Sequence, residues 1–169
     1  MINNEILGID IGGVLADREN IPNGAYRSLY NPDDSYLEVL PFPGALDVVD
    51  RLNKERFGKV YIVSQIAKTL EERSQNWLNQ YGFHEIIPVS QVHFCEERQQ
   101  KRPICEKLGI THFIDDRLTV LQYLDIVKNL FWFRSMEREK DLELLSLIKG
   151  RQIKTVFSWQ EVLQHFGLE

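Results

Sequence analysis

The sequence predicts a wound α/β domain. Short β-rich runs alternate with longer segments of helical period, two of those runs end in carboxylates, and 169 residues supply one core with little left over. Strand-like runs fall at 5–10, 59–64, 86–89, 112–115, 130–134 and 154–157. Such short apolar runs, separated by helices, suit a parallel sheet covered on both faces. The segment 44–56 is expected to be a helix with Leu46, Val49 and Leu52 on its inner face. The next, 67–81, aligns Leu70, Trp77, Leu78 and Tyr81 and stops at Gly82. Helices over 97–108 and 117–127 continue the alternation, and 137–148 adds a charged amphipathic one carrying Leu142, Leu145 and Ile148. The stretch 14–43 breaks the pattern: Pro22, Pro32, Pro41 and Pro43 among several Asn and Asp residues make it a long loop or small flap. There is no internal repeat, so residues 1–169 are expected to form one domain with 14–43 as an insertion.

Composition narrows the partners. The net charge is -5, with 20 basic and 25 acidic residues mixed along the chain, so no basic stripe calls for nucleic acid or an anionic membrane. The start Met1-Ile2-Asn3-Asn4-Glu5 has no export pattern, and no run of about 18 apolar residues occurs. A cytoplasmic protein is the expectation, with Cys95 and Cys105 as reduced structural thiols, too far apart in sequence to make a close metal-binding pair. His84, His93, His112 and His165 show no ligand spacing, and Trp77, Phe131, Trp132 and Phe133 read as packing residues.

The chemistry is written in the acidic strand ends. Asp115-Asp116 closes the apolar run Phe113-Ile114, and two adjacent carboxylates gain nothing from burial unless a cation or donors hold them. Ile6 to Ile9 delivers a further carboxylate, Asp10, into the turn Gly12-Gly13. In a parallel sheet wound by right-handed crossovers, Asp10, Ser64 and Asp115 emerge along one edge, where ligands bind at the switch in strand order. One shared cation is implied.

Taken together, these runs resemble the four motifs of the haloacid dehalogenase-like (HAD) hydrolase superfamily, in their usual order. Ile-Asp-Ile-Gly-Gly-Val (9–14) resembles the first, Tyr-Ile-Val-Ser (61–64) the second, Lys101 the third and Phe-Ile-Asp-Asp (113–116) the fourth. Pro-Phe-Pro-Gly-Ala (41–45) also looks like this superfamily, and the motifs span about two thirds of the chain. The resemblance implies a three-layer α/β/α Rossmann-like fold with a minimal cap and a phosphorylated substrate. It makes Asp10 the nucleophile forming an aspartyl phosphate. Mg²⁺ would lie between Asp10, the Gly12 carbonyl and Asp115, with Asp116 reaching it through water. Ser64 would donate to a phosphoryl oxygen, and Lys101 would offset phosphate charge and orient Asp10.

One position departs from the pattern. Phosphatases of the superfamily carry a second aspartate two residues after the nucleophile, as general acid and base; here that position is Gly12. Such groups contribute about 10²- to 10⁴-fold in rate, so ordinary alkyl phosphates should be poor substrates. Three routes stay open: a leaving group that needs no proton, a surrogate acid from the flap with Asp17 nearest, or loss of turnover in a noncatalytic phosphate- or metal-binding module. A signalling receiver domain would place its acidic pair early in the chain. A dehalogenase has no use for the Asp115-Asp116 cation site, and a phosphonate hydrolase would need a larger cap.

Plainer roles also fit some of these residues. Ser64 can cap a helix, Arg102, Lys107 and Lys68 compete with Lys101 for the third motif, and Arg117 can pair with the acidic couple instead of a substrate. The flap residues Tyr26, Tyr30, Asp33, Asp34 and Tyr36 specify no substrate, and the short flap suggests a large substrate or closure by another subunit.

Overall fold

The computed structural model describes residues 4–18, 34–134, 148 and 150–169. The outer flap with Pro22, Tyr26, Tyr30, Pro32 and Asp33, and the helix expected over 137–148 apart from Ile148, lie outside these residues.

Six strands form one sheet: β1 (Ile6–Ile9), β2 (Lys59–Gln65), β3 (Val92–Cys95), β4 (His112–Asp115), β5 (Asn129–Phe133) and β6 (Ile153–Val156). Every neighbouring pair is parallel and the order is β3-β2-β1-β4-β5-β6. The chain winds outward from β1 to β3 and then resumes on the other side of β1 with β4. The switch in winding direction therefore falls between β1 and β4, the two strands whose ends carry Asp10 and Asp115.

Alternation along the strands feeds two cores. Leu7, Ile9, Ile62, Ile114, Phe131 and Phe133 face one side, packed under α1 (Ala45–Arg51), α2 (Glu71–Gln80), α3 (Phe83–Ile86) and, at the C-terminus, a further helix at Trp159–His165. Val63, Phe113, Leu130 and Trp132 face the other side, under α4 (Lys101–Leu108) and α5 (Leu118–Leu121). The C-terminal helix is α6. The result is the three-layer α/β/α, Rossmann-like architecture expected from the sequence.

Several elements differ from expectation. The run 86–89 is not a strand: Ile86 ends α3, Pro88 has no N–H for a ladder, and the edge strand is Val92–Cys95 instead. That strand is half-covered and includes His93, so it carries little apolar signal. The expected helix over 117–127 is one helical turn followed by tight i→i+3 turns, Leu124 N to Leu121 O and Val127 N to Leu124 O. Leu118, Leu121, Leu124 and Val127, buried along with Val120, recur every three positions, the period of a 3₁₀ turn. In α1 the buried face is Ala45, Val48 and Val49, continuing to Leu52, whereas Leu46 is exposed; the helix then loosens into a π turn at Leu52–Arg56.

The base of the flap is laced to the domain. Ala16 bridges Gly12 on one side and Pro41 on the other, with Phe42 N donating to Leu15 O and Asp17 N to Leu40 O. Cys95 and Cys105 are both buried and unbridged, and burial pushes their thiols up to about 11 and about 12.

Candidate active site

Asp10 follows the last residue of β1, and its N–H donates to Ile114 O on β4, 3.1 Å away. This bond ties the first acidic strand end to the fourth. Ser64, near the end of β2, donates its hydroxyl to Asp10 Oδ1 at 2.7 Å. Lys101 opens α4, and its Nζ lies 3.0 Å from the same Asp10 oxygen and 2.7 Å from Asp115 Oδ2. The other Asp115 oxygen accepts the Arg117 N–H at 2.9 Å. Asp10, Ser64, Lys101 and Asp115, spread over 106 positions of sequence, thus form one hydrogen-bonded cluster at the switch point.

Burial sets the electrostatics. Lys101 is 1% exposed and Asp115 0%. Desolvation pulls the Lys101 ammonium down, but the Asp10 and Asp115 charges and their hydrogen bonds more than reverse this, so it stays protonated. Asp115 moves upward, chiefly through desolvation, with Asp10 and Asp116 adding like-charge repulsion against the pull of Lys101. A further cation at this point would relieve that repulsion.

Asp116 is also buried, and its Oδ2 accepts from Arg18 Nη2 at 2.9 Å. Its carbonyl accepts the Trp132 indole N–H at 3.1 Å, which fixes the turn after β4. Gly13 lies against this carboxylate with φ +78°, and a Cβ there would come within 2.3 Å of Asp116 Oδ2. Both conformation and space demand glycine at this position.

Asp10, Asp115 and Asp116 each offer an oxygen within 4.8 Å of the others. An all-oxygen anionic set fits a hard divalent cation such as Mg²⁺, and the Gly12 carbonyl stands on the same side of the cluster, where Arg18 Nη2 reaches it at 3.2 Å. Beside the carboxylates opens a cavity of about 290 Å³ lined by Asp10, Gly12, Arg18, Ser64, Lys101 and Arg117, among others. Its walls are mostly polar and carry several cationic side chains, a lining that suits an anion.

Sequence reading thus finds Asp10, Ser64, Lys101, Gly12, Asp115 and Asp116 gathered in one place. Of the competitors to Lys101, Arg102 pairs at the surface with Asp125 and Glu106. Asp17 is buried but does not belong to the cavity wall described here. Arg117 touches the acidic pair through its main chain, while its partly exposed guanidinium lies 4.0 Å from Asp116. Sequence reading missed two arginines of the cavity wall, Arg18 and Arg98. The partner of Arg18, Asp116, is 98 positions away, and a single arginine inside a polar loop carries no pattern.

No protein-family model matches the chain, and no curated protein matches it. Solved structures do. A haloacid dehalogenase-like family hydrolase from Xanthomonas campestris aligns at a TM-score of 0.63 over 98% of this chain and 97% of its own, with 8% identity. A HAD hydrolase, family IA, variant 3, from Entamoeba histolytica gives 0.59 over 93% and 94%, with 14% identity. A HAD family hydrolase from Deinococcus radiodurans, with bound phosphate and sodium, gives 0.57 over 97% and 96%, also with 14% identity. With its strand order and the placement of its acidic strand ends, the chain has the haloacid dehalogenase-like fold.

Proposed function

We propose that the chain is a HAD-superfamily phosphohydrolase, dependent on a divalent cation and working through an aspartyl phosphate on Asp10. The observation that carries this reading is the convergence of Ser64 Oγ and Lys101 Nζ on one oxygen of Asp10, at 2.7 and 3.0 Å, beside a cavity lined with cationic side chains. Those two donors fix the carboxylate's orientation without consuming both of its oxygens. The phosphate held by the Deinococcus radiodurans neighbour agrees with an anionic ligand.

In the first step a carboxylate oxygen of Asp10 forms a bond to phosphorus while the bond to the leaving oxygen breaks in line. Lys101 and Ser64 balance the charge on the transferring group. Asp10, Asp115 and the Gly12 carbonyl, with Asp116 nearby, would hold Mg²⁺, which when bound supplies positive charge against the phosphoryl oxygens. Gly12 has no side chain to protonate the departing group, so an acyl or aryl phosphate, whose leaving group departs as a stable anion, is the favoured substrate class. Water then attacks phosphorus, frees the Asp10 carboxylate and gives inorganic phosphate, with one proton passing to solvent. The expected location is the cytoplasm.

The test is hydrolysis of acetyl phosphate and p-nitrophenyl phosphate with Mg²⁺. Wild type should exceed Asp10→Asn by about 10²-fold or more, with simple alkyl phosphates slower by a similar factor. Equal rates for wild type and Asp10→Asn would remove the enzymatic reading. A noncatalytic phosphate- or metal-binding module is the second reading, favoured by the absence of an acid at Gly12.

A further inference from the structure

The Arg18 guanidinium stands where the fold would have a metal ion meet the main chain. Its Nη2 donates to Gly12 O at 3.2 Å and to Asp116 Oδ2 at 2.9 Å, and its side chain is 13% exposed. One nitrogen thereby joins the Gly12 carbonyl, assigned above to the cation, to an Asp116 oxygen beside it. Gly12 leaves room for this placement: a Cβ built there would lie 3.2 Å from both Cζ and Nε of Arg18, so a side chain at position 12 would require the guanidinium to shift by a few tenths of an ångström.

We propose that Arg18 is a tethered cation that competes with the divalent ion for the Gly12–Asp116 edge of the cluster. The inference rests on the metal site assigned above. Charge and coordination support it. Arg18 adds a positive charge to a cluster of three carboxylates that Lys101 already offsets in part, with the Arg117 guanidinium 4.0 Å from Asp116. With Arg18 withdrawn, that charge no longer opposes a divalent ion, and the Gly12 carbonyl and Asp116 Oδ2 lose the donor they share. Like charge prevents guanidinium and metal from sharing that edge, so metal uptake requires Arg18 to leave it. Arg18 also lines the cavity.

The experiment is a Mg²⁺ titration by calorimetry, repeated with Mn²⁺ by electron paramagnetic resonance, on the full chain without substrate. Arg18→Ala and Arg18→Gln should each bind metal about tenfold tighter than wild type or better, and Arg18→Lys, a point charge without the planar fork, should fall between them. Asp115→Asn should abolish uptake in every background. Equal or weaker binding by the Arg18 variants would overturn the inference and leave the metal site standing; no uptake by any protein would overturn both. Should the Arg18 variants not fold, the Arg18 Nε–H resonance of wild type gives the answer: it should shift on adding Mg²⁺, and an unmoved signal would overturn the inference.

Discussion

Lys101 is the buried counter-ion of the carboxylate cluster. It is fully enclosed, bonded to Asp10 and Asp115 and seated 5.3 Å from the Phe113 ring centroid. Lys101→Met keeps most of the volume but leaves two buried carboxylates facing each other without a counter-charge. Breaking a buried pair in this way costs about 3–5 kcal/mol. Urea denaturation at neutral pH should show a loss of that order, and Asp115→Asn in the same background should recover part of it. A loss under about 1 kcal/mol would mean that solvent reaches the pair and that Lys101 is not a buried counter-ion. Asp10, Ser64 and Asp115 were legible in the sequence because each closes an apolar run, and parallel strands bring such ends together. Lys101 was harder to single out, since four basic residues compete and only the fold orients one of them inward. Arg18 was illegible for the opposite reason: nothing local marks it, and its position follows from two oxygens brought in by distant turns.

At the level of elements, α6 carries more weight than its length suggests. Ser158 caps it by accepting from Glu161 N at 3.2 Å, and the Glu161 carboxylate accepts from Phe157 N at 2.9 Å. The Ser-Trp-Gln-Glu spacing is that of a capping box, with the Glu161 carboxylate reaching one residue past the cap to Phe157 N. By contrast, the run 86–89 is an apolar stretch whose Pro88 argues against a ladder. The first buried residue of α6, Trp159, packs on Phe133 and donates its indole N–H to Val14 O at 2.8 Å, in the loop that leaves the site. Trp159→Phe should cost about 1–2 kcal/mol by orphaning that carbonyl, and Trp159→Ala about 3–5 kcal/mol by adding a cavity. Thermal denaturation checks both values, and a Trp159→Phe loss near zero would mean that the hydrogen bond contributes nothing beyond packing.

Across the whole molecule the three tryptophans share one task. Trp77 donates to Val39 O, Trp132 to Asp116 O and Trp159 to Val14 O, so each indole reaches from a packed element to a loop at the site or at the base of the flap. The packing of Trp77 and Trp132 was readable from sequence, whereas Trp159 and all three hydrogen-bond partners required the fold. The opposite end of the sheet holds the main pH liability. His112 opens β4, enclosed by Phe57, Phe131 and Phe166, with Thr111 Oγ1 2.9 Å from Nδ1. Burial, aided by Arg56, Lys154 and His165 against the pull of Glu5, lowers the imidazole from 6.5 to about 4. The folded state therefore refuses a proton that the unfolded chain accepts. Its contribution is intact above pH 6.5 and is lost progressively as pH falls toward about 4. Asp115, raised instead of lowered, acts with the opposite sign, so the wild-type profile mixes the two. Comparison with His112→Phe separates them: the variant keeps a ring among rings and removes the titrating group. Its melting temperature should fall less than that of wild type between pH 7 and pH 4.5. Parallel profiles would place the acid sensitivity elsewhere in the molecule.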